Sequence, residues 1–298
     1  MKNPLISVII AAFNEEKKIS KCLNALLNQT IKDIEIFVVD DGSTDSTVSV
    51  VREFERKNKN IHLLQQKRQG PGAAKNLATK KAKGSILVFV DSDEYPRKDY
   101  LEKLIYPIIK NKSETAIGAW VVANPKSVWA RCRFNDTYKI RQHALESGVF
   151  RAIKAETFFK TPGFDPKKGY SDDRIASGLK RERIDDAIFD HDVDSALKEI
   201  YGKRKWIGSS LVNNPKGKSF KIKFSFSIIA IALFIASLFF SRTLSLIMII
   251  IAILPIIYQT LKKAIFYKDI RLIFCYPPYL FICLLGMLSG LLKPVYRN

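Results

Sequence analysis

The chain predicts an α/β protein, a mostly parallel, Rossmann-like sheet flanked by helices, followed by a C-terminal helical membrane region. Three observations carry this reading. Apolar runs of strand length alternate with charged, helix-periodic stretches through the first third of the sequence. The run Ile86–Val90 is apolar at every position, as suits a strand buried on both faces, and ends abruptly in Asp91-Ser92-Asp93. From about Phe224 onward Ile, Leu, Phe and Ala dominate.

The elements follow in order. Ile6–Ala12 reads as the first strand, and Asn14-Glu15-Glu16 as the opening of a helix whose buried stripe is Ile19, Cys22, Leu23, Leu26 and Leu27. Ile34–Val39 is the second strand, ending in Asp40-Asp41-Gly42-Ser43-Thr44-Asp45, with a helix from Ser46 to Arg56 behind it. A third strand lies near Ile61–Leu64. Gln69-Gly70-Pro71-Gly72 turns the chain into a short helix carrying Lys75 and Asn76, and Ile86–Val90 is the fourth strand. Alternation of this kind makes parallel pairing and right-handed crossovers the expected topology.

Composition narrows the function. A net charge of +20 fits nucleic acid, an anionic membrane surface or a phosphorylated substrate. Aromatic residues interleaved with basic ones, which a nucleic-acid binder would use for stacking, are missing, so no nucleic-acid partner is expected. Lys216, Lys218, Lys221 and Lys223 stand directly before the apolar tract, where anionic headgroups would lie. The four cysteines, Cys22, Cys132, Cys275 and Cys283, have neither metal-site nor disulfide-framework spacing, which suits a reducing compartment. No cleavable leader is expected, since a strand begins by Ile6.

Four polar loops stand at the carboxyl ends of the expected strands: Phe13–Glu16, Asp40–Asp45, Gly70–Asn76 and Asp91–Asp93. In an open α/β sheet such loops converge on one crevice. A carboxylate there can accept from a base or ribose, a cation can neutralise phosphate, and Asp-x-Asp can hold a divalent cation. The plainer reading of Asp91-Ser92-Asp93 is a helix cap or acidic turn. Asp40 and Asp45 likewise read as caps of their turn and of the next helix. No Gly-x-Gly-x-x-Gly follows the first strand and there is no P-loop, which disfavours a nicotinamide enzyme and an ATPase.

Together the segments Val8–Glu16, Val38–Asp45, Gly70–Asn76 and Asp91–Asp93 resemble the family 2 inverting glycosyltransferases of the GT-A fold, over about residues 4–212. The resemblance implies a GT-A transferase domain over residues 1–215, with a nucleotide-sugar half to about residue 112 and an acceptor half from 113, then a membrane region over 216–298. It places Glu15 against the nucleoside, Asp41 on the base, and Lys75 on base or phosphate where the family usually has Arg. Asp91 falls on ribose or metal, and Asp93 becomes the direct ligand of Mg²⁺ or Mn²⁺. Donor and partner are then a UDP- or GDP-linked sugar and a lipid-linked acceptor, polyprenyl phosphate or a lipid-linked glycan, in cell-envelope glycan biosynthesis.

An inverting transferase also needs a general base. The family supplies it from an acidic pair beyond a Gly-Phe-Asp segment, here Gly163-Phe164-Asp165. Matching Ile175 and Leu179 to the family's apolar positions selects Asp172, whereas matching the acids directly selects Asp173. The alternative is a helix-start acidic cluster. His191 falls where the family can bring a His to metal or diphosphate, or else is a structural surface residue. Gly202-Lys203-Arg204-Lys205-Trp206 resembles the Gln/Arg-x-x-Arg-Trp signature of processive synthases. It departs at Gly202 and Lys205, which argues for single-sugar transfer. Arg204, Lys205 and Trp206 would hold the leaving diphosphate or face headgroups.

In the tail, Phe224–Phe240 and Thr243–Tyr258 read as a helical hairpin, and Leu272–Leu292, interrupted by Tyr276-Pro277-Pro278-Tyr279, as a kinked span or an interfacial piece followed by a short helix. Lys262, Lys263, Lys268 and Arg271 put their loop and the N-terminal domain on the cytoplasmic side of a multi-pass protein. The rival classes are a non-catalytic membrane scaffold on a degenerate transferase fold and a transferase acting on a non-lipid polysaccharide.

Overall fold

The computed structural model describes residues 6–123, 127–133, 150–166, 179–193, 196–211, 242–267 and 270–292. Its first four strands are β1 (Ile6–Ala12), β2 (Ile34–Asp40), β3 (Ile61–Gln65) and β4 (Ile86–Asp91). They pair in parallel in the spatial order β3-β2-β1-β4. Ala12 faces Asp40, Ala11 faces Asp91 and Asp40 faces Gln65, so the four carboxyl ends finish in one row. Every residue of β2, and all of β4 but Asp91, is buried, which is why these strands read as apolar runs, broken before their carboxylate ends only by Glu35, whose Oε1 accepts from the Ser7 hydroxyl.

Alternate side chains feed two cores. One face carries Val8, Ile10, Val38, Val88 and Val90, which pack on α1 (Ile19–Leu27) through Ile19, Cys22, Leu23 and Leu26. On the other, Ile9, Phe37, Val39, Leu87 and Phe89 pack on Ala74 and Ala78 of α3 (Pro71–Thr79) and on Phe150, Phe158 and Phe164. Between them in sequence lies α2 (Thr47–Lys57). The first helix starts later than its acidic residues suggest. Asn14 turns into the left-handed region (φ 55°), and the Glu15 carbonyl accepts from the N–H groups of Lys18 and Ile19. Glu15 and Glu16 therefore belong to the loop, where their backbone N–H groups are free to bond across to the next loop.

Beyond β4 come β5 (Glu94–Pro96), α4 (Tyr100–Ile109), β6 (Thr115–Val122), α5 (Val128–Arg133), β7 (Ala152–Lys154), α6 (Ala155–Phe159) and β8 (Arg181–His191). Antiparallel β7 joins β4 to β6, and β8 runs parallel to β6 and antiparallel to β5. The eight-stranded sheet is therefore mixed, with four parallel strands in its first half and the parallel pair β6–β8 in its second. A register shift interrupts β6 and β8: Gly118 faces Ile184, but Ala119 faces Ile188. A Cβ on Gly118 would lie 2.7 Å from the Ala187 carbonyl oxygen and 2.8 Å from the Tyr100 ring, so only glycine fits there. The shift brings His191 opposite Val122 and Glu94.

The chain forms two compact units, and the sheet with α1–α4 and α6 makes the first. The second contains α5, α7 (Leu197–Leu211), α8 (Arg242–Tyr267) and α9 (Arg271–Leu292). Leu272, Tyr276, Tyr279 and Cys283 form one stripe of α9 and pack with Ile200 and Cys132. A Cβ on Gly208 would collide with the Met287 backbone, and one on Gly286 would sit 2.7 Å from the Tyr201 carbonyl, so α7 and α9 cross closely on glycines.

Two expectations for the tail change. Pro277 and Pro278 lie inside one continuous helix, Arg271–Leu292, so the segment is not an interfacial piece followed by a separate short helix. The expected Thr243–Tyr258 segment runs on to Tyr267, so Lys262 and Lys263 sit on α8 and not in a loop. Phe224–Phe240 lies outside the described residues. Among the described residues one helix, over Arg271–Ser289, is long and apolar enough to cross a membrane.

Candidate active site

Backbone groups that helix formation would have consumed lace the first two loops together. The Asn14 N–H donates to Ser43 Oγ (2.9 Å), and Thr44 N–H donates to Asn14 Oδ1 (2.8 Å). Glu15 N–H donates to Thr47 Oγ1 (2.8 Å), and Ser46 N–H donates to Glu16 Oε2 (3.0 Å). Asp45 accepts from Glu16 N–H (3.2 Å), Thr47 N–H (3.0 Å) and the Thr47 hydroxyl (2.6 Å). Burial works to raise its pKa, but the bonds from Thr47 and Glu16 outweigh it and hold the carboxyl below its ordinary value. Asp45 thus secures the entrance to α2, and Asp40 accepts from Ser43 N–H (3.2 Å) to close the turn at Gly42.

Asp41 organises the loop between β3 and α3. Its Oδ1 accepts from Gln66 Nε2 and Gln69 N–H (2.8 Å each), and its Oδ2 accepts from Gly70 N–H (2.9 Å). Gly70 needs its positive φ of 98° to start α3 at Pro71. The Arg68 guanidinium lies over the Phe13 ring at 3.4 Å, tying this loop to the end of β1.

At the end of β4 the charges concentrate. Lys75, buried on α3, places Nζ 3.7 Å from Asp91 Oδ1. Arg151 donates both terminal nitrogens to Asp91 Oδ2 (3.2 Å each) and Nη2 to Glu94 Oε1 (2.5 Å). Burial works to raise the Asp91 pKa, yet Arg151 and Lys75 together hold it below the usual value. Glu94 differs: burial pushes its pKa up to about 8, with Asp91 and Asp93 adding to the rise and Arg151 opposing it.

Asp93 is buried, and its Oδ2 lies 3.4 Å from His191 Nε2. That nitrogen is buried and makes no hydrogen bond among the described residues. The backbone fixes the pair, because Asp192 N–H donates to the Asp93 carbonyl (2.8 Å) and Glu94 faces His191 across the β5–β8 ladder. The Trp120 ring centroid stands 5.6 Å from that of His191. An orphaned imidazole nitrogen beside a carboxylate fits a divalent cation that draws its other ligands from phosphate oxygens and water. Among the described residues no cluster of three His, Cys, Asp or Glu forms a complete metal cage.

The structure thus brings Lys75, Asp91, Asp93 and His191 into one cluster at the end of β4. Glu15 and Asp41 stand on the neighbouring loops of the same sheet edge. Asp172 and Asp173 lie outside the described residues. The segment that leads toward them is pinned to α3, where Asn76 Nδ2 donates to the Phe164 carbonyl (2.7 Å) and Asn76 Oδ1 accepts from Phe164 N–H (3.0 Å). Arg204, Lys205 and Trp206 are on α7 in the second unit, with Arg204 Nη2 donating to the Tyr279 hydroxyl (3.2 Å). Sequence reasoning missed Arg151, Glu94 and the Asn76 clamp. Glu94 stands directly beside Asp93 and was open to inspection; Arg151 sits in no motif and reaches the site only through strand pairing.

Comparisons with known proteins agree with this geometry. The family described as glycosyl transferase family 2 matches residues 7–164. Glycosyltransferase GlyA of Streptococcus pneumoniae is 36% identical over 119 residues, covering 40% of this chain and 17% of that protein. Poly(ribitol-phosphate) beta-glucosyltransferase of Bacillus spizizenii is 37% identical over 127 residues, covering 41% of this chain and 20% of its own. The chain thus spans a fifth or less of the length of these two relatives. Among solved structures, mannosyltransferase PcManGT from Pyrobaculum calidifontis matches with a TM-score of 0.59 and 19% identity, covering 98% of this chain and 87% of that one. S. aureus TarS matches with a TM-score of 0.52 and 23% identity, over 70% of this chain and 40% of that one. With a family match over more than half its length, on a GT-A sheet whose carboxyl edge gathers the polar loops, the chain belongs to glycosyl transferase family 2, a family of glycosyltransferases.

Proposed function

We propose that this protein is a membrane-anchored, metal-dependent inverting glycosyltransferase. It moves a single sugar from a UDP- or GDP-linked donor to a lipid-linked acceptor. The observation that carries the proposal is the charge cluster at the end of β4, where the buried His191 Nε2, without a hydrogen bond among the described residues, lies 3.4 Å from the Asp93 carboxylate, the two residues that would hold a cation. Solved relatives of the same fold support the donor class: TarS has been captured with UDP and with UDP-GlcNAc, and PcManGT with GDP-Man and Mn²⁺.

In this reading Glu15 and Asp41 hold the nucleoside, Lys75 and Asp91 hold ribose and phosphate, and Asp93 with His191 holds Mg²⁺ or Mn²⁺. When bound there, such a cation would supply positive charge to neutralise the leaving diphosphate. Asp172 or Asp173 takes the proton of the acceptor hydroxyl. The freed oxygen attacks the anomeric carbon opposite the nucleotide, the bond to the diphosphate breaks, and configuration inverts. An acceptor that is itself polyprenyl phosphate needs no deprotonation, and the pair then orients it. Arg204, Lys205 and Trp206 serve the diphosphate or the headgroups.

Membrane anchoring, with the transferase domain (1–215) on the cytoplasmic side of a membrane region (216–298), draws on the exposed apolar faces of α8 and α9. Ile251, Tyr258 and Ile265 of α8 and Phe274 and Phe281 of α9 are all exposed. A polymer acceptor free of lipid is the second reading, favoured by the likeness to a poly(ribitol-phosphate) glucosyltransferase. Membranes containing the full chain, incubated with a panel of radiolabelled nucleotide sugars with and without EDTA, test both. Metal-dependent label in the lipid extract supports the first reading. Label in polymer alone supports the second, and undiminished transfer in EDTA sinks the role of Asp93 as metal ligand.

A further inference from the structure

We propose that Arg151 is a positioning residue for the donor: held by Glu94, it sets the orientation of the Asp91 carboxylate that faces the nucleotide sugar. This rests on the nucleotide-sugar reading above and names a residue that reading does not use. Arg151 is fixed from both sides, since its N–H donates to the Ala116 carbonyl and its carbonyl accepts from Phe89 N–H (2.8 Å each). Its side chain is 13% exposed. Glu94 is almost completely buried and spends its two oxygens differently, Oε1 on Arg151 Nη2 (2.5 Å) and Oε2 on Asp91 N–H (3.0 Å).

The three residues therefore close a ring. It runs from the Asp91 backbone to Glu94, from Glu94 to the Arg151 guanidinium, and from both guanidinium nitrogens back to Asp91 Oδ2 (3.2 Å each). Neutralising buried Glu94 would need a single nitrogen. Arg151 commits both to Asp91, whose side chain is 43% exposed and open to water. Spending a fork of donors on a solvated carboxylate makes sense as control of its rotamer. With Oδ2 taken, Oδ1 is the oxygen left on the Lys75 side, 3.7 Å from its Nζ. Asp91 thus faces both cations, sharing Arg151 with Glu94 and meeting Lys75 at its other oxygen. Loss of Arg151 would turn Asp91 toward Lys75 and spoil both as donor contacts.

The test is binding of UDP and GDP to the full chain in detergent, by calorimetry with Mn²⁺ and with EDTA, alongside donor KM and kcat. Arg151→Met is expected to weaken nucleotide binding roughly tenfold and to raise donor KM more than it lowers kcat. Arg151→Lys, which can reach one carboxylate but not both, should recover part of the loss. Asp91→Asn should weaken binding by itself, and adding Arg151→Met to it should produce little further loss, because the arginine acts through Asp91. Losses that multiply in the double variant would overturn the proposal, as would a well-folded Arg151→Lys variant that binds no better than Arg151→Met. Wild-type protein that binds neither UDP nor GDP would overturn the donor reading itself.

Discussion

His191 Nε2 stands 3.4 Å from Asp93 Oδ2, although 98 positions separate them, because β8 skips from Ile184 to Ile188 against consecutive residues of β6. The skip moves the strand end forward until His191 lies beside β5, and β5 starts directly after Asp93. Asp93→Asn removes the anionic oxygen a divalent cation needs. It should lower transfer by about a hundredfold or more, equivalent to about 3 kcal/mol of lost charge stabilisation. His191→Ala should instead raise the Mn²⁺ concentration for half-maximal rate and leave the saturated rate closer to wild type. Rate against Mn²⁺ concentration separates the two. Equal Mn²⁺ dependence in wild type and His191→Ala would remove His191 from the metal site.

Much of the parallel first half of the sheet was legible in the sequence because its physics is local. A strand buried on both faces must be almost wholly apolar: Ile86–Val90 is so throughout, and Ile34–Val39 is but for Glu35, whose Oε1 accepts from the Ser7 hydroxyl and Lys83 N–H. Their carboxylate ends follow from parallel topology, which collects the loops on one edge. What was not legible depends on pairing between distant strands. Arg151 enters the site because β7 lies antiparallel beside β4, and His191 because of a bulge at Gly118. The start of α1 was misread for a related reason. The N–H groups of Glu15 and Glu16 bond to Thr47 and Asp45 of the next loop, and no helix-start rule contains that loop. Asp41 reads from sequence as a base contact, and the fold adds a second duty, three hydrogen bonds that shape the β3–α3 loop.

Acid should loosen the laced loops through Asp45. Its pKa is lowered in the fold, so the carboxylate binds fewer protons folded than unfolded. The stability it contributes is present above the ordinary value of 3.8 and is lost as pH falls through the lower folded value. Asp45→Asn keeps an acceptor for Thr47 but has no charge to titrate. The gap between wild type and Asp45→Asn in urea midpoint should therefore be open at neutral pH and close below about pH 4. A gap that persists unchanged into acid contradicts the assignment.

Gln29 offers a test of stability away from the charge cluster. It is 1% exposed, and its Nε2 donates to the carbonyls of Ala25 (3.0 Å) and Arg97 (2.8 Å), with Pro96 at 3.3 Å. Its Oε1 accepts from Leu101 N–H (3.0 Å), so one side chain fastens α1 to the β5–α4 connection. Gln29→Leu strands those buried backbone groups without partners and should destabilise the protein by about 2–3 kcal/mol. Thermal denaturation measures this, and a loss under about 0.5 kcal/mol, the range of ordinary surface substitutions, would show the hub to be dispensable.

Asn76 tests the proposed coupling between α3 and the segment that leads toward Asp172 and Asp173. Its amide forms a two-way clamp on Phe164, and Gly163, at φ 73°, has no side chain to interfere: a Cβ there would approach Asn76 Oδ1 to 3.0 Å. Phe164 itself is buried among Phe89, Phe150 and Phe158, so its ring holds the segment even when the clamp is lost. Asn76→Ala should therefore leave the fold largely intact while freeing the backbone that leads toward Asp172 and Asp173. Two lost hydrogen bonds correspond to about 1–3 kcal/mol, of which part should appear as slower transfer and higher acceptor KM. Asn76→Asp keeps the acceptor for Phe164 N–H but sets a carboxylate against the Phe164 carbonyl, and should be worse than alanine. Nucleotide affinity in both variants should stay within about twofold of wild type, since neither change touches Asp41, Asp91 or Asp93. A loss of nucleotide binding that matches the loss of transfer would place Asn76 on the donor side instead.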